Sequence, residues 1–76
     1  MKNLIRQQVI RWRKHHGWSQ EMLAARLQLA GWHNASRSTV SKIEGGTLRI
    51  SDYDLLFVAA ALRIHFAELF PEIDWK

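Results

Sequence analysis

The chain has no cysteine among its 76 residues, so neither a disulfide nor a thiolate metal site can stabilise it. It also lacks any apolar run near the ~18–20 residues that a membrane-spanning helix needs. The N-terminus, Met1-Lys2-Asn3-Leu4-Ile5-Arg6, has neither the continuous apolar stretch nor the small-residue cleavage site of a signal peptide. We therefore expect a cytoplasmic protein with no membrane association, stabilised by side-chain packing.

Motifs for catalysis or metal binding are also missing. The sequence holds no His-Glu pair, Gly-rich phosphate loop or nucleophile motif. Of the four histidines, His15 and His16 are adjacent and would point in different directions on a helix. His33 and His65 are distant in sequence from that pair. We expect no enzyme activity, no metal ion and no cofactor.

Acidic residues are scarce in the first part of the chain. Residues 1–50 contain nine Lys or Arg and two acids, whereas residues 51–76 contain two Lys or Arg and five acids. Many small proteins are mildly basic by chance, which is the simplest explanation. A charge distribution this one-sided in a short chain nevertheless favours a polyanionic partner such as a nucleic acid.

Apolar residues recur at helical spacing in five segments, each bounded by capping residues, glycine or proline. The predicted helices span residues 3–16, 20–30, 36–44, 53–62 and 65–70. No strand pattern, repeat or linker is visible. The pattern predicts an all-α, five-helix bundle that forms one domain over residues 1–76. Residues 71–76, from Pro71 onward, are predicted to be a loose tail.

The third of these helices has the most polar outward face. Ser36 is a good N-cap, and Gly45 or Gly46 can take the left-handed conformation that ends a helix. Glu44 lies at the C-terminal end, where the helix dipole disfavours an acid, so we expect it to have a cationic partner. Val40 and Ile43 would face inward, which leaves hydrogen-bonding and positive groups pointing outward at Arg37, Ser38, Ser41 and Lys42. Such a surface suits the DNA major groove.

Two blocks of sequence resemble a known family. Residues 18–24 (WSQEMLA) and 36–46 (SRSTVSKIEGG) are similar to the phage Cro/repressor-like, XRE-type helix-turn-helix. Residues 55–70 resemble the last two helices of that family. The resemblance implies a lambda-repressor-like bundle and a small, repressor-like transcriptional regulator. It also implies sequence-specific binding of double-stranded DNA, with the third helix reading the major groove.

The resemblance also implies roles for individual residues. Gln20 matches a position that clamps a DNA phosphate, and Thr47 and Arg49 match the loop that meets the DNA backbone. Arg13 and Glu44 match a structural pair that bridges the first and third helices. Outward positions of the third helix touch base edges in the family and correspond here to Arg37, Ser38 and Lys42, with Ser41 and Thr39 as weaker candidates for a base or a phosphate.

The connection between the second and third helices departs from the family pattern. Residues 28–35 make this segment longer than the usual short turn. Either the second helix gains a turn and is followed by a longer loop, or the recognition helix is presented at an altered angle.

A protein-interaction module is the competing interpretation. Phe57 is expected on the outer side of the fourth helix, where it would form an exposed apolar patch with Ala60, Phe70 and Trp75. The simplest partner is a second copy, since a two-fold dimer would place two recognition helices about one DNA turn (~34 Å) apart. An antitoxin that uses this patch to bind a toxin is the other alternative.

Overall fold

A computed structural model describes residues 5–71 of the chain. Four α-helices follow one another: α1 (Arg6–His15), α2 (Gln20–Ala30), α3 (Arg37–Gly45) and α4 (Asp52–Leu62). A short 3-10 helix, Phe66–Leu69, comes after them, and the described range contains no strand. The all-helical prediction is confirmed, whereas the predicted count of five α-helices is not.

Local signals account for most of the helix boundaries. The side chains of Ser19, Ser36 and Ser51 each accept a hydrogen bond from a backbone N–H three residues later. Gly31 and Gly46, at φ of 127° and 75°, end α2 and α3 with backbone conformations that favour glycine. α4 begins at Asp52, one residue before the predicted start. Residues 3 and 4 of the first predicted helix lie outside the described residues.

The fifth predicted helix forms only a 3-10 helix. Its start is fixed by Glu68, whose Oε2 accepts a hydrogen bond from the backbone N–H of His65 at 2.8 Å. Its end is fixed by Pro71, because the residue before a proline is disfavoured in the α region. Phe70 accordingly has φ −132° and ψ 64°. Too few residues remain between these limits for an α-helix to propagate. Beyond Pro71, the predicted tail lies outside the described residues.

The core lies where α2 packs between α3 and α4, with α1 closing it from the side. The imidazole Nε2 of His16 lies 2.7 Å from the carbonyl oxygen of Leu62, which ties the C-terminal ends of α1 and α4 together. Every element contributes fully buried apolar side chains to this one core: Val9, Leu23, Leu27, Val40, Ile43, Val58, Leu62 and Leu69.

The expectation of an exposed apolar patch around Phe57 is wrong. Phe57 is half-buried and packs against the core, with its ring over Gly31 at the end of α2. A Cβ atom at Gly31 would lie 2.8 Å from Cε1 of Phe57, so only glycine lets the ring approach this closely. Phe70 is also half-buried, with its ring 5.5 Å from that of Phe66. Trp75 lies outside the described residues.

Candidate nucleic-acid interface

The start of α3 is held by a reciprocal pair of hydrogen bonds. The backbone N–H of Ser36 donates to Oγ1 of Thr39 at 3.0 Å, and the backbone N–H of Thr39 donates to Oγ of Ser36 at 3.4 Å. The Thr39 hydroxyl is thus part of the helix cap, and its side chain is half-buried. The N–H of the cap residue and one N–H of the first helical turn are satisfied in this way, which fixes the direction in which α3 begins.

The exposed face of α3 carries four of the predicted contact residues. Val40 and Ile43 are buried beneath it and hold the helix against the core. After the helix, the backbone N–H of Thr47 donates to the carbonyl of Lys42 at 3.0 Å, which fixes the exit of the chain. Exposed cations and hydroxyls therefore lie on one side of a rigidly seated helix, at Arg37, Ser38, Ser41 and Lys42. Thr47 and Arg49 are exposed in the segment after it.

Glu44 is the centre of the contacts that hold α3 in place. Its carboxylate accepts hydrogen bonds from Nε of Arg13 at 2.5 Å and from Nη2 of Arg13 at 3.1 Å. Its backbone carbonyl accepts a further bond from Nε of Arg6 at 2.9 Å. Glu44 is only 8% exposed, so this carboxylate is removed from water and depends on these partners. The structure thus brings together the two residues of the predicted structural pair.

Gln20 lies at the same junction rather than on the open surface. Its Nε2 donates to Oε1 of Glu44 at 3.0 Å, and the residue is half-buried as the first of α2. The side chain therefore links the start of α2 to the end of α3. The start of a helix offers backbone N–H groups and a positive dipole end to a phosphate whatever this side chain does.

The long connection before α3 is compact. α2 runs to Ala30, so the first of the two predicted alternatives, an additional helical turn, accounts for part of the added length. The next residues cap the end of α2, since the N–H of Trp32 donates to the carbonyl of Leu27 at 3.0 Å. Nε2 of Gln28 donates to the carbonyl of Ala35 at 2.6 Å, and Ala35 is buried. The segment before the α3 cap is thus fastened to α2.

Sequence reasoning missed two of these positioning residues, Arg6 and Gln28. Arg6 contacts a residue 38 positions away in the chain, and nothing in the pattern of α1 distinguishes it from the other basic residues there. Gln28 lies in the extended connection, for which the family resemblance supplies no counterpart. Its contact with Ala35 depends on how the chain turns after Gly31.

Two further observations, on metal sites and membrane spans, cover the described part of the chain. Residues 5–71 contain no group of three or more His, Asp or Glu side chains placed to hold a metal ion. Over the same range, none of the helices combines the length and the apolar character required to cross a membrane.

Comparison with known proteins assigns the family. A family model described as helix-turn-helix matches residues 9–69, which include all four helices except the start of α1. No curated protein and no solved structure matches the chain. The matched region contains both the junction at Glu44 and the exposed face of α3. The chain therefore belongs to the XRE-type helix-turn-helix family, a family of DNA-binding regulators and not of enzymes.

Proposed function

We propose that this protein is a sequence-specific transcriptional regulator that reads the major groove of duplex DNA with α3. The observation that carries the proposal is the exposed, cationic and hydroxyl-rich face of α3 on a helix fastened to α1 and α2 through Glu44. Base readout requires a helix held in a defined orientation, because a bidentate hydrogen bond tolerates little displacement. A cytoplasmic location, with access to DNA, belongs to the same proposal.

The outward residues divide into two roles. Arg37, in the first turn of α3, reads guanine by a bidentate contact worth about 1–3 kcal/mol of discrimination, and Ser38 and Ser41 bond neighbouring base edges. Lys42, one turn later, reaches a base edge or a phosphate. Thr47, Arg49 and the N-terminus of α2 at Gln20 position the protein on the phosphate backbone without reading sequence.

A repressor-like action by a homodimer is part of this proposal. Many DNA-binding proteins of this architecture read two half-sites, and a two-fold dimer places its recognition helices about one DNA turn (~34 Å) apart. The antitoxin alternative depended on an exposed patch around Phe57. Since Phe57 packs over Gly31, that patch no longer supports a toxin partner.

Selection of bound sequences from random duplex DNA, followed by binding measurements, tests the proposal. We expect Arg37→Ala/Lys42→Ala to lose both affinity and preference for the selected sequence. The control variant Arg11→Ala/Lys14→Ala removes two exposed charges from α1 and should keep the sequence preference. Equal preference in wild type and Arg37→Ala/Lys42→Ala would overturn the assignment of α3 as the reading helix.

The salt dependence of the affinity tests DNA binding itself, independently of sequence readout. Log affinity should fall linearly with log salt concentration, with a slope of about −0.9 for each phosphate neutralised. Arg49→Ala should reduce that slope by about one contact while leaving sequence preference unchanged. An affinity that does not change with salt would overturn the DNA-binding role.

A further inference from the structure

The outward face of α4 is apolar along its middle and charged only at its ends. Tyr53 is 72% exposed, Leu56 is 52% exposed, and Ala60 is also exposed. These residues recur at intervals of three and four, so they form one stripe along the side of α4 opposite the core. The stripe has Asp52 at one end and Arg63 at the other, and both are exposed.

A neighbouring apolar side chain widens this stripe. Leu29, near the end of α2, is 82% exposed, the highest value among the large hydrophobic side chains in the described residues. It lines the same shallow groove as Ala60, together with Arg26, Ala30, Ala61 and Arg63. Clustered apolar exposure of this kind marks an interaction surface more often than scattered single residues do. We call Leu29, Tyr53, Leu56 and Ala60, with Asp52 and Arg63 at the ends, the α4 face.

The order of residues along the α4 face makes it complementary to itself. If two copies of α4 pack antiparallel through their outward faces, with the two-fold axis at the level of residue 58 along the helix, Leu56 of one copy lies opposite Ala60 of the partner subunit. The same arrangement sets Tyr53 opposite Arg63 of the partner subunit, with Asp52 only one residue (about 1.5 Å along the axis) further on and within reach of that guanidinium. A large side chain then meets a small one, which lets the helix axes approach to about 8–10 Å. Each acid meets a base at both ends of the contact.

We propose that the α4 face is a homodimer interface in which two α4 helices pack antiparallel. Charge complementarity selects a second copy of this chain, because the acidic and basic ends exchange places under a two-fold rotation. A parallel arrangement would instead set like charges against each other. The inference rests on the homodimer of the proposed function and specifies the surface through which it forms, and it does not depend on which DNA sequence the protein reads.

Sedimentation equilibrium over low to high micromolar protein concentration tests the interface. Wild type should associate to a dimer. Leu56→Arg should raise the dimer dissociation constant by about tenfold or more, because it puts an unpaired charge near the two-fold axis. Gln7→Arg is the charge-matched control, since Gln7 is exposed on α1 and is not part of the α4 face, and this variant should dimerise like wild type. Circular dichroism establishes that each variant is folded.

A charge exchange identifies the antiparallel pairing itself. Asp52→Arg and Arg63→Asp should each weaken the dimer, and the double variant Asp52→Arg/Arg63→Asp should regain association beyond either single variant. A wild-type chain that stays monomeric at high micromolar concentration would overturn the proposal. A folded Leu56→Arg variant that dimerises like wild type would also overturn it. So would a double variant whose dimer affinity is no higher than that of the weaker single variant. DNA binding is measured separately and bears only on the proposed regulatory function.

Discussion

Arg13 contacts both carboxylate oxygens of Glu44, across 31 positions of sequence and between two different helices. The two side chains are 13% and 8% exposed, so the ion pair is largely shielded from water. A third bond from Arg13, donated by Nη1 to the carbonyl of Trp18 at 2.8 Å, fixes the orientation of the guanidinium group. The pair therefore sets the orientation of α3 relative to α1, and its loss should affect both stability and DNA binding.

Replacing Arg13 by alanine should be strongly destabilising. Glu44 would then keep a buried carboxylate with only the Gln20 amide as a side-chain donor. Removing one partner of a buried ion pair costs about 3–5 kcal/mol. Because this pair retains some exposure, we expect the free energy of unfolding to fall by about 3 kcal/mol, measured by urea denaturation.

A double-mutant cycle separates the interaction energy of Arg13 with Glu44 from the cost of leaving a buried carboxylate without its partner. Arg13→Ala/Glu44→Ala should be more stable than the sum of the two single changes predicts, because no unpaired buried carboxylate remains. Arg13→Lys should lie between wild type and Arg13→Ala, since lysine keeps the charge but cannot form the two-pronged contact. Strictly additive effects would show that the pair contributes no coupling.

Substitution by alanine should change the stability in opposite directions at Gly31 and Gly45. At Gly31 the φ of 127° and the contact of 2.8 Å with the Phe57 ring both disfavour a Cβ, so Gly31→Ala should lose about 2 kcal/mol or more of stability. Gly45 is helical and has nothing within 4 Å of an added Cβ. Gly45→Ala should therefore gain up to about 1 kcal/mol. Thermal unfolding of the two variants side by side checks this, and destabilisation by both would contradict it.

Arg63 has a left-handed backbone conformation, with φ 60° and ψ 42°, at the C-terminal cap of α4. Glycine adopts this conformation without the steric cost of a Cβ atom. Arg63→Gly should therefore be about 1 kcal/mol more stable than Arg63→Ala. Both variants lack the guanidinium, so their difference reports the backbone alone. Equal stability of the two in urea would show that the cap carries no such strain.

The bond from Gln28 to Ala35 should hold the connection ahead of α3. Gln28→Ala removes the donor, and we expect a loss of about 1 kcal/mol of stability. Hydrogen exchange at the N–H of Ala35, which bonds the carbonyl of Trp32 at 3.0 Å, should become faster. Gln7→Ala, at an exposed position of α1, is the control and should leave that exchange unchanged. Unchanged exchange in Gln28→Ala would mean that the turn is held by other contacts.

The helices and their limits were largely predictable from the sequence. α2 spans residues 20–30 and α3 follows Ser36, as their serine caps and glycine stops indicated. These signals are local, because a cap and the N–H group it satisfies lie three residues apart. The fifth element was placed correctly but assigned the wrong type, because Pro71 left too short a stretch for an α-helix.

What the sequence determined by itself is the series of capped helices, the inward and outward faces of α3, and the family to which the chain belongs. Only the tertiary structure decided that Phe57 packs over Gly31, that Arg6 and Gln20 join Arg13 at Glu44, and that the outward face of α4 has Leu56 and not Phe57 at its centre. Side chains near the boundary between the two faces of a helix turn inward or outward according to what the neighbouring helix offers. At Phe57 that was the missing side chain of Gly31, the glycine that caps α2, and no pattern within α4 carries this information.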